Sequence, residues 1–396
     1  MTPWDVVNSK ASKTRPRGRA LRTGILVASC AVILTSGMVL TLQEPAPPPA
    51  PTFSEQALAD AYADAIRLRS AGDSLLGSGT LGAAETTPLE GTVTLLTVQG
   101  KALFRPFPEP VSGTAGTASA SASPGSPAPV PAPGPPASPD SIPSLLTDLV
   151  ASAGERLSDA NEADGGTSRL LAAVGTGQLL KAESLAAAAG VTVPESPARR
   201  PAPSPSTVST PLRSSTPTAG AGLGTAAPSG GDCQVPASAE LSAAFTAVLE
   251  AERQAGYAYQ VALPRLKGDA AAQAAMFQDD HNNLTDQAEA LMAGNCIELS
   301  TAAPGYALGA GFFADPAAGL GTLEAGALAV YGDLVAFTDG AGREWAVQAL
   351  LEGAQRAVQW GAHPGPLPGL SLDPAALPAL PDEVSTEATP AVSPTR

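Results

Sequence analysis

Residues 238–263 read SAELSAAFTAVLEAERQAGYAYQVAL, the clearest amphipathic helix in the chain. Leu241, Phe245, Val248, Ala255, Tyr259 and Ala262 follow one another on one stripe, and the position left over between Val248 and Ala255 is Glu252. A carboxylate therefore faces the core of whatever this helix packs against.

Working outward, three more segments carry a helical period. Asp269 to Ala293 places Ala270, Ala274, Phe277, Leu284, Ala288 and Leu291 on one stripe with His281 among them. Pro316 to Thr338 carries Leu320, Leu323, Ala327, Leu328, Tyr331, Leu334 and Val335, with Glu324 on or beside that side. Arg343 to Trp360 carries Trp345, Ala346, Leu350, Ala354, Ala357 and Trp360, flanked by Glu352 and Gln355. These lengths and periods predict an all-α, four-helix bundle with polar groups at mid-height.

Glu252 and Tyr259 share a spacing with Glu324 and Tyr331, so the bundle reads as two related hairpins. Seven residues is about two helical turns, which stacks each Tyr above its Glu. Glu252 lies as far from the end of its helix as His281 does from the start of the next, so both fall at one level. Similar counting puts Glu324 near Glu352 and Gln355. The plainest reading of such a layer is a hydrogen-bonded set that satisfies its own members.

Cys233 precedes the first of these helices and Cys296 follows the second. In an antiparallel hairpin the two points meet at one end, which predicts a Cys233–Cys296 disulfide, as an oxidising compartment permits.

The N-terminus indicates that compartment. Lys10, Lys13, Arg15, Arg17, Arg19 and Arg22 crowd residues 1–22, and residues 23–42 follow as an uncharged apolar run long enough for one bilayer crossing. The basic flank predicts a cytoplasmic N-terminus and an extracellular remainder in a single-pass membrane protein. A cleaved signal peptide shares this logic. Leu26 to Cys30 also resembles a lipoprotein processing box, although few apolar residues precede Cys30 and the run continues past it. The net charge of −15 disfavours nucleic acid as a partner.

Between anchor and bundle the composition alternates. Residues 43–52 form a Pro-rich spacer; 53–105 and 141–193 carry helical patterning; 106–140 and 194–232 are Pro, Ala, Ser, Thr and Gly-rich linkers predicted to be disordered; the bundle spans 233–370; and 371–396 reads as a disordered tail. Within the first helical region, residues 89–104 keep a helical stripe, but their Thr and Val content leaves a strand open. That region holds no His and no Cys, and no catalytic constellation is legible in it.

The helix order, the Glu-x6-Tyr helices, His281, the connecting Ala303 to Leu308, and Trp360 followed by Pro366 to Leu370 together resemble a ferritin-like domain of unknown function. That family occurs in exported proteins of high-GC Gram-positive bacteria, and the resemblance covers Cys233 to Leu370. Di-iron proteins of ferritin type use a lone Glu on two helices and Glu-x-x-His on the other two. Here Gln278 precedes His281 and Gln355 follows Glu352, so each motif keeps one ligand and replaces the other by an amide. The remaining set, Glu252, His281, Glu324 and Glu352, could hold a single iron, manganese or zinc ion; a dinuclear oxidase is not expected. The expectation is a protein without cofactor or catalysis, in a binding or scaffold role beside an envelope protein partner. A metal or redox protein is the alternative.

Overall fold

The computed structural model describes residues 50–79, 81–105, 139–195 and 237–381. Among these residues every regular element is helical. The described residues from Thr52 onward belong to one compact unit.

The N-terminal part consists of two hairpins, α1 (Phe53–Gly77) with α2 (Ala83–Leu103), and α3 (Ile142–Glu162) with α4 (Gly165–Ala189). Thr52 caps α1 through a reciprocal bond with Glu55, and Asp164 caps α4. The segment left between helix and strand is helical. Thr92, Thr94 and Thr97 turn their hydroxyls back onto the carbonyls of Pro88, Glu90 and Val93, which satisfies them within the helix. Leu89, Leu95, Leu96 and Leu103 then bury its other side.

The C-terminal part repeats the hairpin theme with α5 (Ala239–Ala262), α6 (Gly268–Gly294), the short α7 (Ala310–Ala314), α8 (Pro316–Phe337) and α9 (Gly340–Gln359). α5 packs on α6, α8 on α9, and α5 on α8. α6 and α9 approach through long side chains, Gln273 Nε2 donating to Gln359 at 2.8 Å and Trp345 Nε1 to Gln287 at 2.7 Å. α8 is the one described helix long and apolar enough to cross a membrane by length and composition. Here it is a packed core helix, with Leu320, Leu328, Leu334 and Val335 buried among its neighbours. The predicted span at 23–42 lies outside the described residues.

The two parts share one apolar core, α4 packing on α8 and α9 on α3. At Gly165 a side chain would collide with the Ala336 carbonyl, so glycine lets α4 begin against the end of α8. Arg343 tightens the same corner, its Nε donating to Thr338 O at 2.7 Å and Nη1 to Ala163 O at 2.6 Å.

The segment after α9 runs back over the N-terminal part as far as Leu380. Gln99 Nε2 donates to Pro366 O at 2.9 Å, Arg169 Nη2 donates to Gly369 O at 2.9 Å, and Leu380 is fully buried beside Gly100. A Cβ at Gly177 would stand 2.6 Å from Pro366 O, so that approach depends on glycine. Periodicity does not register such a segment, because its order comes from side chains and carbonyls far away in sequence.

Candidate functional site

Four helices converge on one buried polar layer. α5 supplies Glu252 and Tyr259, α6 His281, α8 Glu324 and Tyr331, and α9 Arg356 with Trp360 at its end. Each apolar stripe that drives these helices together brings its one polar member inward, so burial of the charges follows from burial of the stripe. Glu252, His281, Glu324 and Arg356 are all buried.

His281 is the hub. Its Nδ1 lies 2.7 Å from Glu252 Oε2 and its Nε2 lies 2.8 Å from Glu324 Oε1. Two carboxylates accepting at opposite ring nitrogens require a proton on each, which makes the ring an imidazolium. Burial pulls the His281 pKa down, but the hydrogen bonds to Glu252 and Glu324 outweigh it and raise it.

The carboxylates are completed by the other side chains. Glu324 Oε1 also accepts from the Tyr259 hydroxyl at 2.7 Å, and Oε2 accepts from Arg356 Nε at 3.1 Å. Burial pushes the Glu324 pKa up, but the Arg356 charge and the bonds from His281 and Tyr259 hold it at about 2. Tyr331 donates to Glu252 Oε1, and Trp360 Nε1 donates to the Tyr259 oxygen at 2.7 Å. Both phenols are driven above their ordinary range, first by burial and then by the adjoining carboxylate. The layer holds two carboxylates, one imidazolium and one guanidinium, so its charges cancel. An aromatic wall of Tyr259, Phe277 and Trp360 closes one side, with ring centroids 6.2 Å apart.

Three of the four residues expected to ligate a metal are therefore brought together, and the fourth is not. Glu352 sits half-buried on α9 and accepts from Gln348 of its own helix at 2.7 Å, while Gln355 donates to Glu183 of α4 at 2.8 Å. Helix counting placed Glu352 one turn from the correct level; the residue that meets Glu324 is Arg356. Its position was readable as a basic member of the row Ala349, Gly353, Arg356, Trp360, at steps of four and three. A long basic side chain at a helix end is usually taken for surface, which hides it.

The arrangement does not fit a metal ion. The two nitrogens of His281 face different carboxylates in place of one shared point. Among the described residues no group of three or more His, Cys, Asp or Glu side chains has the disposition of a metal site. Two surface clefts, one between α5 and α8 and one between α3 and α9, are lined by other residues, including Gln254 and Leu308 in the first and Trp345 in the second.

Of the predicted disulfide, Cys296 lies just after α6 and is disulfide-bonded, whereas Cys233 lies outside the described residues. Cys296 takes a left-handed backbone, φ 58°, where the chain turns back from α6.

Residues 244–372 match a family described as a domain of unknown function (DUF4439). The match contains every member of the polar layer and ends within the returning segment after α9. Neither the curated proteins nor the solved structures provide a match to the chain.

Proposed function

We propose that this is a single-pass, membrane-anchored extracytoplasmic protein whose C-terminal helices form a ferritin-like four-helix bundle closed by a Cys233–Cys296 disulfide. Its role is non-catalytic, binding or scaffolding beside a protein partner at the cell envelope. The observation that carries this reading is the saturation of His281: the one imidazole in the layer gives both nitrogens to Glu252 and Glu324, and Arg356 completes the neutralisation. Every carboxylate oxygen and both imidazole nitrogens of the layer are paired within it, which rigidifies the core, while Nη2 of Arg356 is buried without a partner. The basic residues 1–22 before the apolar residues 23–42 support the anchor and its orientation.

Elemental analysis tests the central claim. The protein, purified without chelator or affinity metal, is compared with its Glu252→Ala, His281→Ala double variant. Sub-stoichiometric metal in both is the expected result. Near-stoichiometric iron, manganese or zinc that disappears in the variant would establish the metal reading instead. Cross-linking at the outer face of intact cells, followed by identification of a stable protein partner, tests the scaffold role.

A further inference from the structure

The end of the molecule where α1 begins carries two exposed phenylalanines, Phe53 at 43% and Phe337 at 48% of their free surface. They belong to one face. Ser54, beside Phe53, accepts a hydrogen bond from the Asp164 N–H at 2.9 Å, and Ala336, beside Phe337, abuts the next residue, Gly165. The start of α1, the end of α8 and the turn before α4 therefore meet at one corner, with both phenyl rings left open to solvent.

The same corner is where the chain arrives from residues 23–42. The intervening QEPAPPPAPT, residues 43–52, can carry Phe53 at most about 40 Å from Leu42 even when fully extended. We propose that Phe53 and Phe337 form a lipid-contacting foot, which rests on the membrane-anchor reading given above. The occupant is the interfacial region of the bilayer that holds the anchor. Phe is among the side chains by which interfacial apolar faces enter the headgroup and acyl boundary. A short tether keeps the foot at high effective concentration beside it, so two side chains suffice where a free protein would need many.

Charge selects the kind of lipid contact. Glu55, Glu162, Asp164 and Asp339 lie around this corner, so the face gains no attraction from anionic headgroups and its contact is apolar. The opposite end also exposes apolar residues, among them Val358 and Phe313, the latter under the Arg265 guanidinium at 5.3 Å. The chain does not leave that end toward the apolar run, which makes Val358 a control.

The experiment uses the full chain reconstituted into phosphatidylcholine bilayers, with the photoreactive p-benzoylphenylalanine replacing Phe53, Phe337 or Val358 in turn. All three are surface positions, so the core is untouched. Illumination is expected to give lipid adducts from positions 53 and 337 roughly tenfold above those from 358, as a tethered local contact requires. If the chain enters the bilayer but positions 53 and 337 react no more than 358, the foot is overturned and the anchor stands. If alkaline carbonate strips the chain from the bilayer, the anchor reading fails and the foot fails with it.

Discussion

Tyr259 of α5 donates to Glu324 of α8 at 2.7 Å, and the relationship is reciprocal: Tyr331 of α8 donates to Glu252 of α5. The shared Glu-x6-Tyr spacing is thus a device for exchange between two antiparallel helices. Each Tyr stands two turns from its own Glu and serves the Glu of the other helix. His281 then bridges the two carboxylates from a third helix, and Arg356 reaches one of them from the fourth.

Replacing His281 by Ala leaves two buried carboxylates, of which only Glu324 is bonded to the Arg356 guanidinium. We expect a loss of about 3–5 kcal/mol, the usual cost of breaking a buried ion pair. Chemical denaturation of wild type and variant measures it. An unchanged midpoint would mean that the ring does not hold the layer together.

Arg356 and Glu324 should behave as a coupled pair. Arg356→Met and Glu324→Gln each leave a buried charge uncompensated, whereas the double variant removes both. The double-variant loss is expected to fall short of the sum of the singles by ~1–3 kcal/mol. Simple additivity in the three unfolding curves would refute direct coupling.

The layer also sets a pH window. Glu324 is held at about 2 against an ordinary 4.5, so its contribution is complete above about 4.5 and declines as pH falls toward 2. His281 is raised above its ordinary 6.5, so its contribution is complete below 6.5 and is lost as pH rises through the folded value. From these two groups stability is greatest between about 4.5 and 6.5 and falls on both sides. Unfolding midpoints from pH 2 to 9 check this, and the alkaline slope should flatten in His281→Gln.

Gly177→Ala should act on the segment after α9. The added methyl would stand 2.6 Å from Pro366 O, in a place where Gln99 also donates to that carbonyl. We expect release of residues 361–381 from α2 and α4 and a loss of about 1–3 kcal/mol, as for overpacked cores. Limited proteolysis reads the release directly, as new cleavage within that segment; the wild-type digestion pattern in the variant would contradict it.

Arg343→Ala removes the donor to Thr338 O and Ala163 O, two carbonyls at the corner of α3, α4, α8 and α9. The expected loss is ~1–3 kcal/mol for a buried acceptor left unpaired. Hydrogen exchange should locate the loosening at residues 161–169 and 336–343; exchange unchanged there would place the role of Arg343 elsewhere.

The helices were legible because their stripes are regular, and Glu252, His281 and Glu324 were legible as the polar members of those stripes. Level could be counted along a helix, which paired Glu252 with His281 correctly. Level could not be counted as well for α9, where Glu352 lies one turn away from Arg356, the residue that joins the layer. Arg356 went unread because its burial depends on partners from other helices. The returning segment was illegible for a different reason: Pro366, Gly369 and Leu380 carry no period, and their order is supplied by Gln99, Arg169 and the surface around Gly100.

That returning segment has a consequence for the order of assembly. The bond from Gln99 to Pro366 spans 267 residues, and Leu380 covers helices made near the beginning of synthesis. The first helices to leave the ribosome wait for nearly the last residues of the chain before their apolar surface is sealed. Contacts so distant in sequence form slowly, so the early helices stay unsealed until residues 366–380 have been made and have docked.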